Sequence, residues 1–279
     1  MCGNEHPLRE TVLWEVHARP FVPVENGTRI VHLAFVPVSG ADPLAELADW
    51  CVRMGYAPPH TGAKHHTASS DGLTLSWEQH SEFVTVTLRA ATPEAAAFAP
   101  RPAALAALKA DPPSSGALLV AADLHLVADM DEQAAQALFD RASLVASEVK
   151  GGAALVFSDL KPDADGFVRW LVLNRHPSPR RAGALVQRLL EVETYRNFAL
   201  LGLPEAQRIG GSLRRIETSL AEITQEMTVS VGLDANSMLL DRLTALAAEL
   251  EAEAARSAWR FGASRAYHEF ITQRPNVID

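Results

Sequence analysis

The sequence predicts an α+β protein: two βαββ units form an N-terminal sheet-and-helix domain, and a long antiparallel helical hairpin follows. Residues 29–90 and 116–175 each run in the order strand, helix, strand, strand, which is a repeat of element order. From residue 180 onward, apolar residues recur at helical spacing. We therefore divide the chain into an α/β domain at 1–178 and a helical region at 179–279.

The first unit begins with the β-branched, apolar run RIVHLAFVPV at 29–38, which predicts a strand. After Pro43, apolar residues recur at helical spacing as far as Met54 and predict an amphipathic helix. The polar segment 60–72 predicts a loop. The alternating runs LTLSWEQH and EFVTVTLRA then predict two strands.

The second unit follows a short predicted helix around 103–110. GALLVAADLHLVA predicts a strand, and residues 131–150 predict a helix capped by Asp129 or Asp131. AALVFSDL and FVRWLVLN predict a hairpin across KPDADG. The DADG of that turn, at 163–166, resembles part of a calcium loop, but no downstream Glu completes it, so we interpret it as a hairpin turn.

The helical region breaks at Gly202 and Pro204 and then shows two apolar rows that step by three and four. These rows predict an antiparallel hairpin with a helix over 236–273, about 55 Å long at about 1.5 Å per residue. Packing of these helices against another subunit is the alternative. The rows are Leu213, Ile216, Leu220, Ile223 and Met227, then Leu239, Leu243, Leu246, Leu250, Ala254, Ser257 and Phe261.

Three aromatic residues, Trp259, Tyr267 and Phe270, lie off these rows and need a second surface to cover them. That surface is either the α/β domain or another copy of the chain. We therefore expect a homo-oligomer.

Composition excludes several classes of function. The formal net charge of −9 argues against a nucleic-acid partner, because binding phosphates requires Lys and Arg. The two cysteines, Cys2 and Cys51, imply no disulfide framework, and a reducing compartment is expected. We find no secretory signal and no apolar run long enough to span a bilayer. We also find no CxxC, HExxH or dinucleotide fingerprint, and we predict neither a cofactor nor a bound metal.

The candidate site rests on the pattern Trp-Glu-x-His, which occurs at residues 14–17 and again at 77–80. In an extended chain, residues two apart share a face. Three polar residues therefore share a face in each stretch: Glu15, His17 and Arg19 in the first, and Glu78, His80 and Glu82 in the second.

Three interpretations of these six residues stay open. They can be ordinary surface residues of two strands. They can form a structural network that holds residues 15–21, EVHARPF, against the sheet, since Pro20 and Pro23 keep that arm extended. They can also form a ligand-binding or catalytic site, because a carboxylate beside an imidazole raises the imidazole pKa and orients it.

Three residues of the helical region extend this candidate network. Glu193 and Arg196 are three apart and can pair on one helix face. Arg260 opens the run RFGAS, whose small residues suggest a close helix approach. We expect either a packed hairpin with surface ion pairs, or an Arg196 or Arg260 that reaches the acidic face of the sheet.

The chain resembles a bacterial family of unknown function whose members are described as predicted membrane-anchored proteins. The matching stretches keep their order and cover nearly the whole chain: HPLR at 6–9, EVHARPF at 15–21, WEQHSEFVTVT at 77–87, ETYRNFALLGLPEA at 193–206, LLDRLTALAAELE at 239–251 and RFGASRAY at 260–267.

The resemblance implies a hydrophobic membrane segment after the long helix, because family members are longer and end in one. This chain stops at ITQRPNVID. It is therefore either the soluble part of a longer protein or a variant without the anchor, and the sequence leaves both open.

From the residues and the resemblance together, we expect a domain on the cytoplasmic side of the membrane. It would bind a small molecule, an ion or a partner and assemble through its helices. The alternative is a hydrolase or transferase that uses the Glu and His pairs of the two WExH stretches.

Overall fold

The computed structural model describes residues 9, 22–93, 96–128, 130–149, 151–175 and 178–273. The strands are β1 (Thr28–Val36), β2 (His65–Ser70), β3 (Leu73–Gln79), β4 (Val84–Ala91), β5 (Ala117–Val127), β6 (Val145–Val149), β7 (Ala154–Ser158) and β8 (Val168–Asn174). The helices are α1 (Pro43–Met54), α2 (Ala103–Ala110), α3 (Glu132–Gln136), α4 (Pro179–Leu200), α5 (Gly202–Met227) and α6 (Leu233–Gln273).

The described residues divide into two compact units. A sheet unit ends at Thr194, and a helical unit begins at Tyr195. The sheet unit therefore includes most of α4. One eight-stranded sheet precedes a long helical region, which confirms the predicted α+β class.

The sheet has the strand order β2-β3-β4-β1-β5-β8-β7-β6. Its two halves repeat one element order: β1 is followed by a helix and three strands, and so is β5. Each half thus has one strand more than the predicted βαββ. The halves differ in pairing, because β1 is antiparallel to β4 whereas β5 is parallel to β8.

The two added strands replace local predictions that are wrong. The predicted loop at 60–72 contains β2, and the predicted helix at 131–150 is only the short α3 followed by a turn and β6. Asp131 does cap α3, by accepting a hydrogen bond from the Ala134 N–H at 2.9 Å. The helix cannot continue because Asp140 forms a turn: its N–H donates to the Asp159 carboxylate at 3.1 Å, and its own carboxylate accepts from the Ala142 N–H at 3.0 Å.

Helices cover both sides of the sheet. On one side, α1 and α2 bury Leu47, Trp50 and Leu105 against the strands, and Trp77 of β3 belongs to the same core. On the other side, α4 buries Val186 and its apolar neighbours against β1, β5, β7 and β8. Asp42 caps α1, and Gly55 ends it in the left-handed conformation (φ 77°).

The helical unit contains the predicted antiparallel pair, formed by α5 and α6. Three ion pairs join them: Arg208 to Glu253 at 2.9 Å, Arg215 to Glu249 at 2.9 Å, and Glu226 to Arg242 at 2.5 Å. The predicted close helix approach occurs at Gly202, where an added Cβ would lie 2.7 Å from Ser264 Oγ.

The aromatic residues near the end of α6 are partly covered inside the helical unit itself. Tyr267 stacks on Tyr195 with ring centroids 5.5 Å apart, and Phe270 meets the same ring edge-on at 4.5 Å. Trp259 stays exposed. Among the helices that the structure describes, none is long and apolar enough to cross a membrane.

Candidate functional site

Strands β1, β3 and β4 bear polar side chains on one side of the sheet, and the opposite side of the same strands packs into the hydrophobic core. On β4, three polar residues alternate with buried Val84, Val86 and Leu88. Strand register places Glu78 opposite Thr85, and it places Ser76 and His32 on either side of Thr87. We call this set the polar face: His32, Ser76, Glu78, Thr85, Thr87 and Arg89, with His80 directly after β3.

Glu78 and His80 lie close together, as predicted for residues two apart in an extended stretch. Glu78 Oε2 is 3.7 Å from His80 Nε2, which is beyond hydrogen-bond distance, so the two interact as charges when the imidazole is protonated. The His80 ring stacks on Phe83 at 4.2 Å. Trp77 points into the core instead. Glu82 lies in the connection between β3 and β4.

His32 is the buried member of the polar face. Its Nδ1 lies 2.8 Å from Thr87 Oγ1, and its Nε2 lies 2.9 Å from Thr194 Oγ1 on α4. The Thr194 hydroxyl donates to the Leu190 carbonyl at 2.8 Å, so it accepts from His32 and Nε2 carries the proton. Burial, with Arg89 and His80 nearby, lowers the pKa of His32 from 6.5 to about 3, so the ring stays neutral at physiological pH.

Arg89 is the cation of the polar face. One nitrogen, Nη1, donates to Ser76 Oγ at 2.7 Å. Its Nε–H is buried and has no hydrogen-bond partner among the described residues. Burial lowers the pKa of the Arg89 guanidinium to about 10, and Glu78 acts in the opposite direction. Arg89 is therefore still protonated at neutral pH, but its charge is poorly compensated.

The other predicted site residues are distributed as follows. Glu15, His17 and Arg19 lie outside the described residues, so the meeting of the EVHARPF arm with the sheet stays a prediction. Glu193 is buried on α4 in the sheet unit. Arg196 and Arg260 belong to the helical unit, where both are half-buried, and the Arg260 guanidinium lies 4.8 Å from the Trp259 ring centroid.

A second charged cluster lies on the opposite side of the sheet. Arg29 of β1 makes two hydrogen bonds with the Asp123 carboxylate of β5, at 3.0 and 2.8 Å. Arg101 donates to the same carboxylate at 2.7 Å and reaches Asp163 and Asp165 at 2.5 Å each. Its guanidinium also stacks over the Phe167 ring at 4.1 Å.

This second cluster has the character of a structural network. Asp123 is fully buried, but both buried cations around it are paired with carboxylates, so no charge is left for a ligand. Arg101 joins the segment before α2 to the turn between β7 and β8. The DADG sequence is the predicted hairpin turn, since Gly166 N–H donates to the Asp163 carbonyl at 2.9 Å.

Sequence reasoning missed Arg89, His32 and Thr194. A signal for the first was available, because VTVTLRA places Thr85, Thr87 and Arg89 at alternate positions of one strand. His32 interrupts an otherwise apolar strand, which marks a buried polar group in need of partners. Thr194 has no such signal, because its partner is 162 residues away.

In the part of the chain that the structure describes, no three His, Cys, Asp or Glu side chains come together in a way that could hold a metal ion. The chemistry available on the polar face is therefore that of a guanidinium, an imidazole, a carboxylate and several hydroxyls.

The fold and this site define a mixed α+β protein with a polar sheet face and a long helical hairpin. The chain belongs to a family described as protein of unknown function (DUF3422), whose profile matches residues 4–279. No curated protein and no solved structure matches the chain.

Proposed function

We propose that this chain is a binding and assembly protein, in which the sheet unit holds a small anion on its polar face. The observation that carries the proposal is Arg89, a cation on a sheet face whose Nε–H has no acceptor among the described residues. A buried donor without an acceptor costs about 1–3 kcal/mol, so it calls for an explanation. An anionic ligand supplies the missing acceptor.

The electrostatics of Arg89 support the same proposal. Burial lowers its pKa, which means that the protein around it compensates the positive charge less well than water does. A bound anion recovers part of that loss. Its binding should therefore raise the pKa of Arg89 towards the ordinary range.

The geometry of the neighbours limits the kind of ligand. A guanidinium recognises planar carboxylates and phosphates through paired N–H groups. Hydroxyl groups of Ser76 and Thr87 flank the cation, and Glu78 lies on the same face and repels a large or highly charged anion. We therefore propose a small carboxylate or phosphate group as the ligand.

Nuclear magnetic resonance of the arginine Nε–H groups tests this proposal. We expect acetate or inorganic phosphate, titrated separately, to shift the Arg89 Nε–H signal in a saturable way. The shift should vanish in Arg89→Gln. It should persist in Arg53→Gln, a matched control at an exposed arginine that is paired with Asp111. No saturable shift with either anion would reject the site.

The alternative is a hydrolase or transferase that uses Glu78 and His80, which the 3.7 Å approach of their side chains favours. The thiol of Cys51 cannot serve as its nucleophile, because Cys51 lies in the core on the opposite side and burial raises its pKa to about 11. Turnover of generic ester or phosphoester substrates that His80→Ala abolishes, with unchanged anion binding, would favour the enzyme.

Two further proposals complete this function. We propose that the helical unit mediates self-association, which exposed apolar residues on α5 and α6 support. The family resemblance supports a position on the cytoplasmic side of a membrane in members that carry an anchor. Fractionation of the natural protein in its own cells, with and without protease treatment of sealed vesicles, tests that position.

A further inference from the structure

Of the five residues of the predicted apolar row on α5, only Ile216 and Ile223 are buried. Ile209, Ile216 and Ile223 recur every seven residues and are buried. Four residues beyond each of them stand Leu213, Leu220 and Met227, which are 38%, 47% and 55% exposed. The prediction that both sets cover a single seam inside the chain is wrong, because a two-helix hairpin buries only the side that faces its neighbour.

The same arrangement occurs on α6. Leu239 is buried and Leu246 half-buried, whereas Leu250, four residues beyond Leu246, is 44% exposed. Four residues advance about 40° around a helix. Because α5 and α6 are antiparallel, the same rotation brings both exposed sets to one side of the hairpin. We call this side the leucine flank: Leu213, Leu220 and Met227 on α5, and Leu240, Leu243 and Leu250 on α6.

The other side of the hairpin carries the ion pairs. Each of these charged residues of α5 stands next to the buried isoleucine row, on the side away from the leucine flank: Arg208 and Arg215 directly precede an isoleucine, and Glu226 follows one by three residues. All three are paired with residues of α6. The hairpin thus has one side closed by its own charges. On the other side, five of the six apolar residues of the leucine flank are exposed and Leu243 is half-buried, and the exposed Glu217 lies between Leu213 and Leu220.

Two charges at the edges of the leucine flank are left unpaired. Arg214 directly follows Leu213, and Glu251 directly follows Leu250. They lie at the same height on the hairpin, since the adjacent Arg215 pairs with Glu249. Neither Arg214 nor Glu251 forms an ion pair with any of the residues that the structure describes.

From these observations we infer that the leucine flank is the interface with a second copy of this chain, in a two-fold dimer whose axis runs parallel to the helices. The inference rests on the proposed self-association and identifies the surface that mediates it. Each α5 then packs antiparallel to the partner's α6, and the two hairpins form a four-helix bundle. Arg214 of each copy meets the partner's Glu251.

The choice of a second copy follows from self-complementarity. A two-fold rotation places the leucine flank of one copy on the same flank of the other, and it satisfies both unpaired charges at once. Leu213 to Met227 spans about 21 Å at about 1.5 Å per residue, and two helices are about 20 Å wide. The contact covers about 400 Å² on each copy, which is a small interface. Both copies together bury about 800 Å², which is below the size of a standard stable interface, so we expect a weak dimer.

Sedimentation equilibrium of the full chain between about 5 and 300 μM tests the inference, because this range covers the micromolar dissociation constants of weak complexes. We expect the mass to rise from one chain to two. Leu220→Asp and Leu250→Asp should each leave a monomer across the range, with unchanged helical circular dichroism. Val231→Asp is the matched control, because Val231 is 90% exposed at the turn of the hairpin but outside the leucine flank. It should leave the dimer intact.

A charge exchange tests the same interface without placing a charge among the leucines. Arg214→Glu should weaken the dimer at least tenfold, and Arg214→Glu combined with Glu251→Arg should restore it. A wild-type monomer at the highest concentration would overturn both the self-association and the interface. A wild-type dimer that survives Leu220→Asp and Leu250→Asp would overturn the interface alone. An assembly larger than a dimer would overturn the two-fold arrangement.

Discussion

Lowering the pH from 6.5 to 4.5 should destabilise the sheet unit through His32. The pKa of His32 is about 3 in the folded chain and 6.5 in its ordinary state. Between these values the unfolded chain binds one proton more than the folded chain, so stability falls as the pH falls. A full proton difference is worth about 1.4 kcal/mol per pH unit, but the unfolded histidine is only half protonated at pH 6.5, so the loss over the two units is about 2.3 kcal/mol.

Urea unfolding at several pH values, followed by tryptophan fluorescence, measures this loss. Trp259→Phe is used as the background, because it removes the tryptophan of the helical unit from the signal. His32→Gln removes the titrating group, and we expect its stability to depend less on pH than that of the wild type by about that amount. His60→Gln, at an exposed histidine, should keep the wild-type dependence. Equal pH dependence of wild type and His32→Gln would refute the reasoning. Part of the dependence should remain in His32→Gln, because burial also lowers the pKa of His125.

Three further predictions concern other contacts. Asp123→Ala leaves Arg29 and Arg101 without their shared carboxylate and should cost about 3–5 kcal/mol in urea unfolding, whereas Asp165→Ala, at an exposed partner of Arg101, should cost about 1 kcal/mol or less. Gly202→Val should lower the stability of the helical unit by about 1–3 kcal/mol, because the added side chain would clash with Ser264. Gly211→Ala, where an added Cβ meets nothing within 4 Å, should raise that stability by up to about 1 kcal/mol. Equal effects of the two substitutions would contradict the close approach at Gly202. If the EVHARPF arm contacts the polar face, a double-mutant cycle of Arg19→Gln with Glu78→Gln should give a coupling above about 0.5 kcal/mol, and strict additivity would rule out that contact.

The parts of the fold that the sequence predicts are those with a strong local pattern. The apolar runs of β1 and β5 and the helical spacing of α1 appear in the structure near their expected bounds. Residues 131–150 are only partly helical: the alanines favour a helix, but Val145–Val149 pairs with β7 as a strand. Such pairing is tertiary and has no signature within a short window.

The candidate site was predictable only in part. Alternation along one strand correctly placed Glu78 near His80, because it follows from local geometry. The role of Arg89 depends on what surrounds its Nε–H. The neutral state of His32 depends on its burial, and one of its hydrogen-bond partners, Thr194, comes from a distant helix. These properties arise from burial, which a pattern of residues along one strand does not specify.

The two strands at the edges of the sheet, β2 and β6, are the ones that the sequence did not predict. β2 reads HHTASS and four of the five residues of β6 are exposed, so neither has the apolar alternation of an ordinary strand. A sheet edge offers free backbone N–H and C=O groups to any extended chain, and a short polar edge discourages that pairing. Other polypeptides, such as nascent chains in a crowded cell, are therefore less able to pair with the edges of this sheet. Fibril growth from either edge of the sheet is disfavoured for the same reason.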